Sequence, residues 1–289
     1  MDSGLAGLSV WITGAAGGIG RELARAFAAE GAQLALSAHT RYDELRARAE
    51  REGWPPQTLV LRADTTSAAD LEQACERTCE RFGRLDLCIA NAGAWPSEDK
   101  PLHELEPERL RRTIEVNLVG SCLTARAFLA SLARHGPRPD GRGAALVLIG
   151  STAARFGERD HADYAVAKAG LLGLLRSLKN EIARIDPRGR VNLIEPGWTA
   201  TEVERPALAD DALLRRVAST MALRQLGRAR DVAHSALFLA SPLLARHVSG
   251  EVLGVSGGME GRRLWDEREI DPAAVRAGVR SAPPDPPPR

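Results

Sequence analysis

At 289 residues with 44% apolar side chains, the chain has the length of one large α/β domain and the composition of an ordinary globular core. Its 39 basic and 38 acidic residues leave a formal charge of +1 with both signs mixed throughout, which argues against a nucleic-acid partner. The start, MDSGLAGLSVWITGAAGGIG, lacks the basic flank and apolar length of a signal peptide, and no apolar run approaches the ~20 residues of a membrane span, so a soluble, cytoplasmic protein with no membrane partner is expected.

Short runs rich in Val, Ile and Leu alternate with longer helical patterns. In chain order the strands read LSVWI, QLALS, TLVLR, LDLCIA, AALVLIG, VNLIE and EVLGV, and helices are predicted near 18–30, 41–52, 67–82, 106–134, 160–186, 209–222 and 230–240. That alternation implies parallel strands joined by crossover helices, and a run apolar on both faces, such as AALVLI, is that of a buried parallel strand. The expected fold is α/β: a doubly wound, mostly parallel seven-stranded sheet of Rossmann type with helices on both faces, in a single domain over 1–258.

The first strand runs into Thr13-Gly14-Ala15-Ala16-Gly17-Gly18-Ile19-Gly20. Glycines here permit a tight turn and close approach of a diphosphate, and the helix beyond offers free N–H groups and its positive end. Strand-to-helix turns also need glycine for steric reasons alone, but after the first strand of an alternating chain the loop reads as a phosphate cradle. The second strand ends in LALSAHTRYDEL. It lacks the carboxylate that would accept from ribose hydroxyls and repel a 2′-phosphate, while His39 and Arg41 supply donors. NADP(H) is the expected cofactor and NAD(H) the alternative, in which His39 and Arg41 are merely solvated. Cys75, Cys79, Cys88 and Cys122 lack metal-type spacing and are expected to be reduced, packed thiols, with no metal required. The stretch 133–143, ARHGPRPDGRG, reads as a polar surface loop.

Further along, HADYAVAKAGLLGLL sets Tyr164 and Lys168 four residues apart, on one face of a helix and about 6 Å apart along its axis. Nearly every other cation of the chain is Arg; the remaining lysines are Lys100 and Lys179. A phenol titrates at about 10, and an adjacent cation that favours phenolate brings it closer to neutral pH. Lysine's compact charge can also hold a ribose hydroxyl. Ser151 follows AALVLIG and should emerge at the carboxyl end of the sheet, where open α/β folds bind ligands and where its hydroxyl can hold a substrate oxygen. Taken singly, a Tyr on an apolar helix is core, a Ser after a strand caps a turn, and Asn117 in TIEVNLVGSCL bridges backbone groups. Taken jointly with the glycine loop they form a catalytic set. After Met259 the composition turns charged and then proline-rich; 259–289 is expected to be a tail without a packed core, partly docked through Leu264 and Trp265, with a disordered end.

In order and approximate spacing, the stretch from Thr13 to Gly20, Asn91-Ala92-Gly93, Asn117, Ser151, Tyr164 with Lys168, and Pro196-Gly197 resemble the compact short-chain dehydrogenase/reductase family, over about 5–258, and its 3-oxoacyl reductases in particular. The resemblance implies hydride transfer between a nicotinamide and a carbonyl carbon. It assigns Tyr164 as general acid/base, Ser151 as polariser of the substrate oxygen, Lys168 as ribose anchor and modulator of the phenol, and Asn117 as organiser of a water relay. It puts Ala38 where NAD-type members carry Asp and His39 where NADP-type members carry Arg, Asp64 beside the adenine, and Asn91 and Gly93 along the adenine ribose. Pro196, Gly197, Thr199 and Thr201 would lie beside the nicotinamide, with Thr199 at its carboxamide and a substrate lid following to about Met221. Trp95 and Trp198 are candidate pocket walls, or else ordinary packing.

Members of the family commonly pair through the helices carrying Asn117 and Tyr164, and AGLLGLLRSL offers an apolar surface there, so a homotetramer or homodimer is expected. The function implied is an NAD(P)-dependent oxidoreductase that reduces a ketone, 3-oxoacyl-like or another small carbonyl, to an alcohol. Its rivals are a dinucleotide-binding regulator without turnover and a nucleotide-sugar epimerase or dehydratase, whose relatives carry a larger C-terminal substrate domain than this tail provides.

Overall fold

Seven parallel strands make up the main sheet of the computed structural model, which describes residues 2–52, 54, 57–201 and 207–280. They are β1 (Ser9–Thr13), β2 (Gln33–Ala38), β3 (Leu59–Arg62), β4 (Leu87–Ala90), β5 (Ala145–Ile149), β6 (Arg190–Pro196) and β9 (Val252–Val255), while β7 (Thr199–Ala200) and β8 (Gly227–Arg228) form a separate two-stranded ladder. The spatial order is β3-β2-β1-β4-β5-β6-β9, so the chain reverses direction across the sheet between β1 and β4. The crevice at such a switch point is where doubly wound sheets bind ligands.

The helices are α1 (Gly18–Ala29), α2 (Tyr42–Arg51), α3 (Ala68–Phe82), α4 (Pro107–Ile114), α5 (Gly120–His135), α6 (Ala153–Phe156), α7 (Ala162–Ile185), α8 (Asp211–Ala218), α9 (Ala229–Ala240) and α10 (Pro272–Arg280). Side chains alternate across each strand, and both faces are covered. Val10, Ile12, Leu34, Leu36, Val147 and Ile149 point into one core, with Phe27 of α1 and Val232 and Ala236 of α9. Trp11, Cys88, Leu146, Leu148 and Leu193 point into the other, with Leu71 of α3, Phe128 of α5 and Leu171 and Leu175 of α7. The buried Trp11 indole donates to the Ser37 hydroxyl at 3.0 Å, so its one polar atom is paired. Every expected strand is present, with boundaries within a residue or two.

Three expectations need correction. The helix expected over 106–134 is interrupted by a π-helical stretch, Glu115–Val119, which inserts a wider turn around Asn117. The helical run Pro107–His135 is also long and apolar enough to span a membrane by length and composition, contrary to the reading that no run approaches that length; half of its most apolar window is buried inside the fold. The polar stretch 133–143 lies at the surface as expected, its first residues ending α5, and is anchored at the amino-terminal edge of the sheet, where Arg138 and Arg142 both bond Asp140, Arg138 reaches Asp86 at 2.8 Å and Arg142 reaches the carbonyl of Ala6 at 2.9 Å.

The largest correction is in the tail, which does contribute to a packed core. Ile270 and Val275 join Leu214, Ala218, Met221 and Leu226 in a third buried cluster, with Trp198, Met259, Trp265 and Val279 packed around it. Asp271 accepts from the N–H of Ala273 at 2.9 Å and opens α10, where proline at the first helical position has no N–H to lose. The proline-rich end, from 281, lies outside the described residues.

Candidate active site

The exits of β1 and β4 are stitched together. Thr13 Oγ1 accepts from the N–H groups of Asn91 and Ala92, both at 3.1 Å, and Asn91 Nδ2 donates to the carbonyls of Thr13 at 2.9 Å and Gly14 at 3.2 Å. Gly14 adopts φ +64°, and a Cβ there would stand 2.7 Å from Ala92 Cα, so the turn admits glycine on two counts. α1 then begins at Gly18 with no side-chain cap, leaving its first N–H groups to be satisfied from outside the helix. Gly18, Arg21, Ala200, Thr201, Arg228 and Arg276 are among the residues lining a cleft of about 880 Å³ at this end. Unpaired helical N–H groups, the helix dipole and arginines around a cleft fit the phosphates of a dinucleotide.

Next along the crevice comes a junction of three side chains. Asn117, fully buried in the π turn, donates through Nδ2 to the carbonyls of Ala94 at 3.0 Å and Thr113 at 3.1 Å, and its Oδ1 accepts from the N–H of Ala94 at 3.1 Å. A Cβ on Gly93 would fall 2.8 Å from Asn117 Oδ1 and 3.2 Å from Lys168 Nζ. Glycine at 93 is therefore what allows the β4 exit, Asn117 and Lys168 to meet.

On α7, Lys168 is buried; its Nζ donates to the carbonyl of Ile149 at 3.0 Å, at the end of β5, and lies 5.7 Å from the centroid of the Tyr164 ring. Ser151, two residues past β5, accepts from the N–H of Ala153 at 3.1 Å and lies close enough to Tyr164 to pull its phenol down. The expectation that a neighbouring ammonium lowers the phenol is not met within the chain alone. Burial pushes Tyr164 up to about 12 against the opposing pull of Ser151, and burial pulls Lys168 down to about 8. Loss of water disfavours phenolate and ammonium alike.

Trp95 lies over this set, stacked on His161 with centroids 4.1 Å apart and edge-on to Tyr164 at 4.8 Å. It is half exposed. His161 Nε2 bonds the carbonyl of Pro96 at 3.0 Å, holding the Trp95 segment to the start of α7. Beside Tyr164, the buried carboxylate of Asp163 accepts from Arg109 Nε at 3.1 Å and Thr113 Oγ1 at 2.9 Å, while Arg109 also reaches the carbonyl of Glu98 at 2.6 Å. Burial would raise the Asp163 carboxyl, but its bonds to Thr113 and Arg109 hold it below the usual range. Sequence reasoning passed over His161, Asp163 and Arg109. The signal was the HADY stretch, in which an Asp in a helix's first turn reads first as a partner for the dipole.

The remaining candidates are more dispersed. Pro196 ends β6, the Gly197 N–H donates to the carbonyl of Val255 at 3.0 Å, and the Thr199 hydroxyl is spent on the carbonyl of Gly197 at 3.0 Å. Trp198 packs against the third cluster rather than against Tyr164. At the adenosine end, Ala38 is buried and His39 Nδ1 stands 3.4 Å from Asp64 Oδ2. Asp64 Oδ1 accepts from the hydroxyl of Thr66 at 2.8 Å. Arg41 forks onto Glu44 at 2.7 and 2.8 Å, and that bond holds the Glu44 carboxyl below its ordinary value. The four cysteines are free, and among the described residues no group of His, Cys, Asp and Glu could hold a metal ion.

Residues 14–260 match the family model described as Enoyl-(Acyl carrier protein) reductase. The chain is 35% identical over 251 residues to the 3-oxoacyl-[acyl-carrier-protein] reductase FabG of Escherichia coli (strain K12), covering 86% of this chain and 95% of that one. It is 32% identical over 257 residues to the L-rhamnose 1-dehydrogenase (NAD(P)(+)) of Azotobacter vinelandii, covering 87% and 96%. Among solved structures it resembles a short-chain dehydrogenase/reductase, glucose/ribitol dehydrogenase, from Brucella melitensis, with a TM-score of 0.79, 31% identity, and 90% of this chain and 99% of that one covered.

Proposed function

Since the chain belongs to the short-chain dehydrogenase/reductase family of NAD(P)-dependent oxidoreductases, we propose that it reduces a ketone to the alcohol with Tyr164 as proton donor and NADPH as preferred reductant. The observation that carries the reading is the meeting of Ser151, Tyr164 and Lys168 at the Gly93–Asn117 junction. The bound nicotinamide dinucleotide supplies the hydride. Ser151 donates to the carbonyl oxygen and polarises it, and the phenol of Tyr164 passes its proton to the same oxygen as negative charge gathers there. Burial keeps that phenol protonated at neutral pH, the form a reductase needs. Lys168 spends one N–H on Ile149 and keeps the others for ribose hydroxyls, a task for which its buried position orients it. Asn117 holds the segment after β4 in place, and Trp95 walls the substrate side.

The preference for NADPH rests on Ala38, which leaves the end of β2 without a carboxylate, and on His39 beside it. The substrate is a 3-oxoacyl-like or other small carbonyl compound. The protein works in the cytoplasm as a homodimer or homotetramer. Nothing in the site favours a regulator without turnover, because the whole proton-transfer set is in register. Loss of NADPH absorbance with a panel of ketones tests the reading, and Tyr164→Phe should cut turnover by about 10²–10⁴-fold while leaving the cofactor dissociation constant within a factor of about three. Retained turnover would remove Tyr164 from the mechanism.

A further inference from the structure

The chain does not stop where it leaves the sheet at Val255. It crosses back over the exits of β6 and β5, and the crossing is bonded at successive points. The carbonyl of Gly257 accepts from the N–H of Leu223 at 3.0 Å. Gly261 lies against Phe156, where a Cβ would come within 2.7 Å of ring atom Cδ1. The N–H groups of Leu264 and Trp265 both donate to the carbonyl of Ser219, at 2.7 and 3.1 Å. The Trp265 indole donates to the carbonyl of Met221 at 2.9 Å, and the Arg224 guanidinium covers the ring face, 3.4 Å from its centroid. Beyond it, Arg215 donates to the carbonyl of Ile270, fixing the approach to α10.

Phe156 sits at the end of α6, the helix entered from Ser151. Ser219, Met221 and Arg224 follow α8, in the segment entered from Trp198. Both segments lie beyond the carboxyl ends of the strands that lead to Ser151 and Trp198, and 261–265 packs on Phe156 at one side and bonds Ser219 and Met221 at the other. Trp95 beside Tyr164, Phe156 beside Gly261 and Leu223 bonded to Gly257 are large apolar side chains left 52%, 38% and 66% exposed. We propose that the C-terminal extension is a specificity element. With Trp265 as the positioning residue, it seals the crevice between α6 and α8, so that compact, unattached apolar ketones enter and acyl groups on a long phosphopantetheine-type arm do not.

The proposal rests on the carbonyl-reduction reading, and its test separates the two. The probes are cyclohexanone and acetoacetyl-coenzyme A, used with the full chain and its Trp265→Ala and Trp265→Phe variants. For the full chain, kcat/KM favours cyclohexanone. In Trp265→Ala that preference falls at least tenfold, with kcat for cyclohexanone and the NADPH dissociation constant each within twofold of the parent. In Trp265→Phe, which keeps a ring under Arg224, most of the preference persists. Calorimetric titration of acetoacetyl-coenzyme A into the NADPH-saturated proteins gives a readout free of turnover, with binding at least tenfold tighter in Trp265→Ala than in the parent. An unchanged preference or dissociation constant, or no binding by either protein, overturns the sealing role. Failure of all ketones to oxidise NADPH, alongside the expected gain in binding, overturns the redox reading instead.

Discussion

Replacing Lys168 with methionine should stabilise the cofactor-free protein at neutral pH and destabilise it in alkali. Burial pulls the Lys168 ammonium from an ordinary 10.5 down to about 8. The distance between those values corresponds to about 3 kcal/mol of penalty carried by the folded chain while the amine stays charged. Methionine of similar length removes that penalty but also removes the 3.0 Å bond to the carbonyl of Ile149, a loss of about 1–2 kcal/mol. The net effect at pH 7 is a gain of about 1–2 kcal/mol, or a few degrees in Tm for a chain of this size.

Between pH 8 and 10.5 the unfolded chain binds more protons than the folded one at this site, so wild-type stability climbs through that window while the variant, lacking the group, does not share the climb. Above it the wild type has lost its penalty and the variant is the weaker by about the value of the hydrogen bond. Urea unfolding followed by circular dichroism from pH 7 to pH 11, without cofactor, measures the difference directly. A difference that stays flat with pH, or a variant weaker than wild type at pH 7, would refute the claim that Lys168 is held charged at a desolvated site. The same variant should bind NADPH poorly.

Gly93→Ala should lower kcat/KM at least tenfold and weaken NADPH binding with only a small loss of Tm, because its Cβ displaces Asn117 Oδ1 and Lys168 Nζ together; wild-type kinetics would show that the junction tolerates the group. Ala38→Asp should shift the ratio of NADH to NADPH dissociation constants at least tenfold toward NADH, read by cofactor fluorescence, and an unchanged ratio would take the end of β2 out of cofactor choice. Since burial holds the Tyr164 phenol up to about 12, its ionised form grows about tenfold per pH unit below that value, so alcohol oxidation should rise with pH while ketone reduction keeps its proton donor through neutrality. A pH-independent oxidation rate would contradict that assignment.

The sheet was legible because buried parallel strands concentrate apolar residues into short runs that no surface segment imitates. The Tyr164–Lys168 pair was legible because helical spacing alone puts both on one face. What Lys168 does to the phenol was not, since the outcome turns on how much water each group loses, which depends on β5 and the segment after β4 rather than on α7. The π turn at Asn117 escaped because one added residue hardly alters an apolar pattern. Arg41 reads as a free donor in the sequence, yet Glu44 three residues on captures it, as helical neighbours do. In the tail, charge and proline content hid a real helix start, Asp271-Pro272, and the apolar Ile270, Val275 and Val279 that face α8.

The third cluster shares no buried residue with the two cores that flank the sheet. Its opening should therefore leave the strands and their ladder intact, as a cooperative unit of lower stability than the sheet. Amide hydrogens at Leu264 and Trp265 should exchange well before those of β5, and a protease should nick this region while the remainder stays native. Under the proposed sealing role, entry to the reacting centre would become a local melting equilibrium, adjustable by temperature or solvent without any change in the chemistry beneath it.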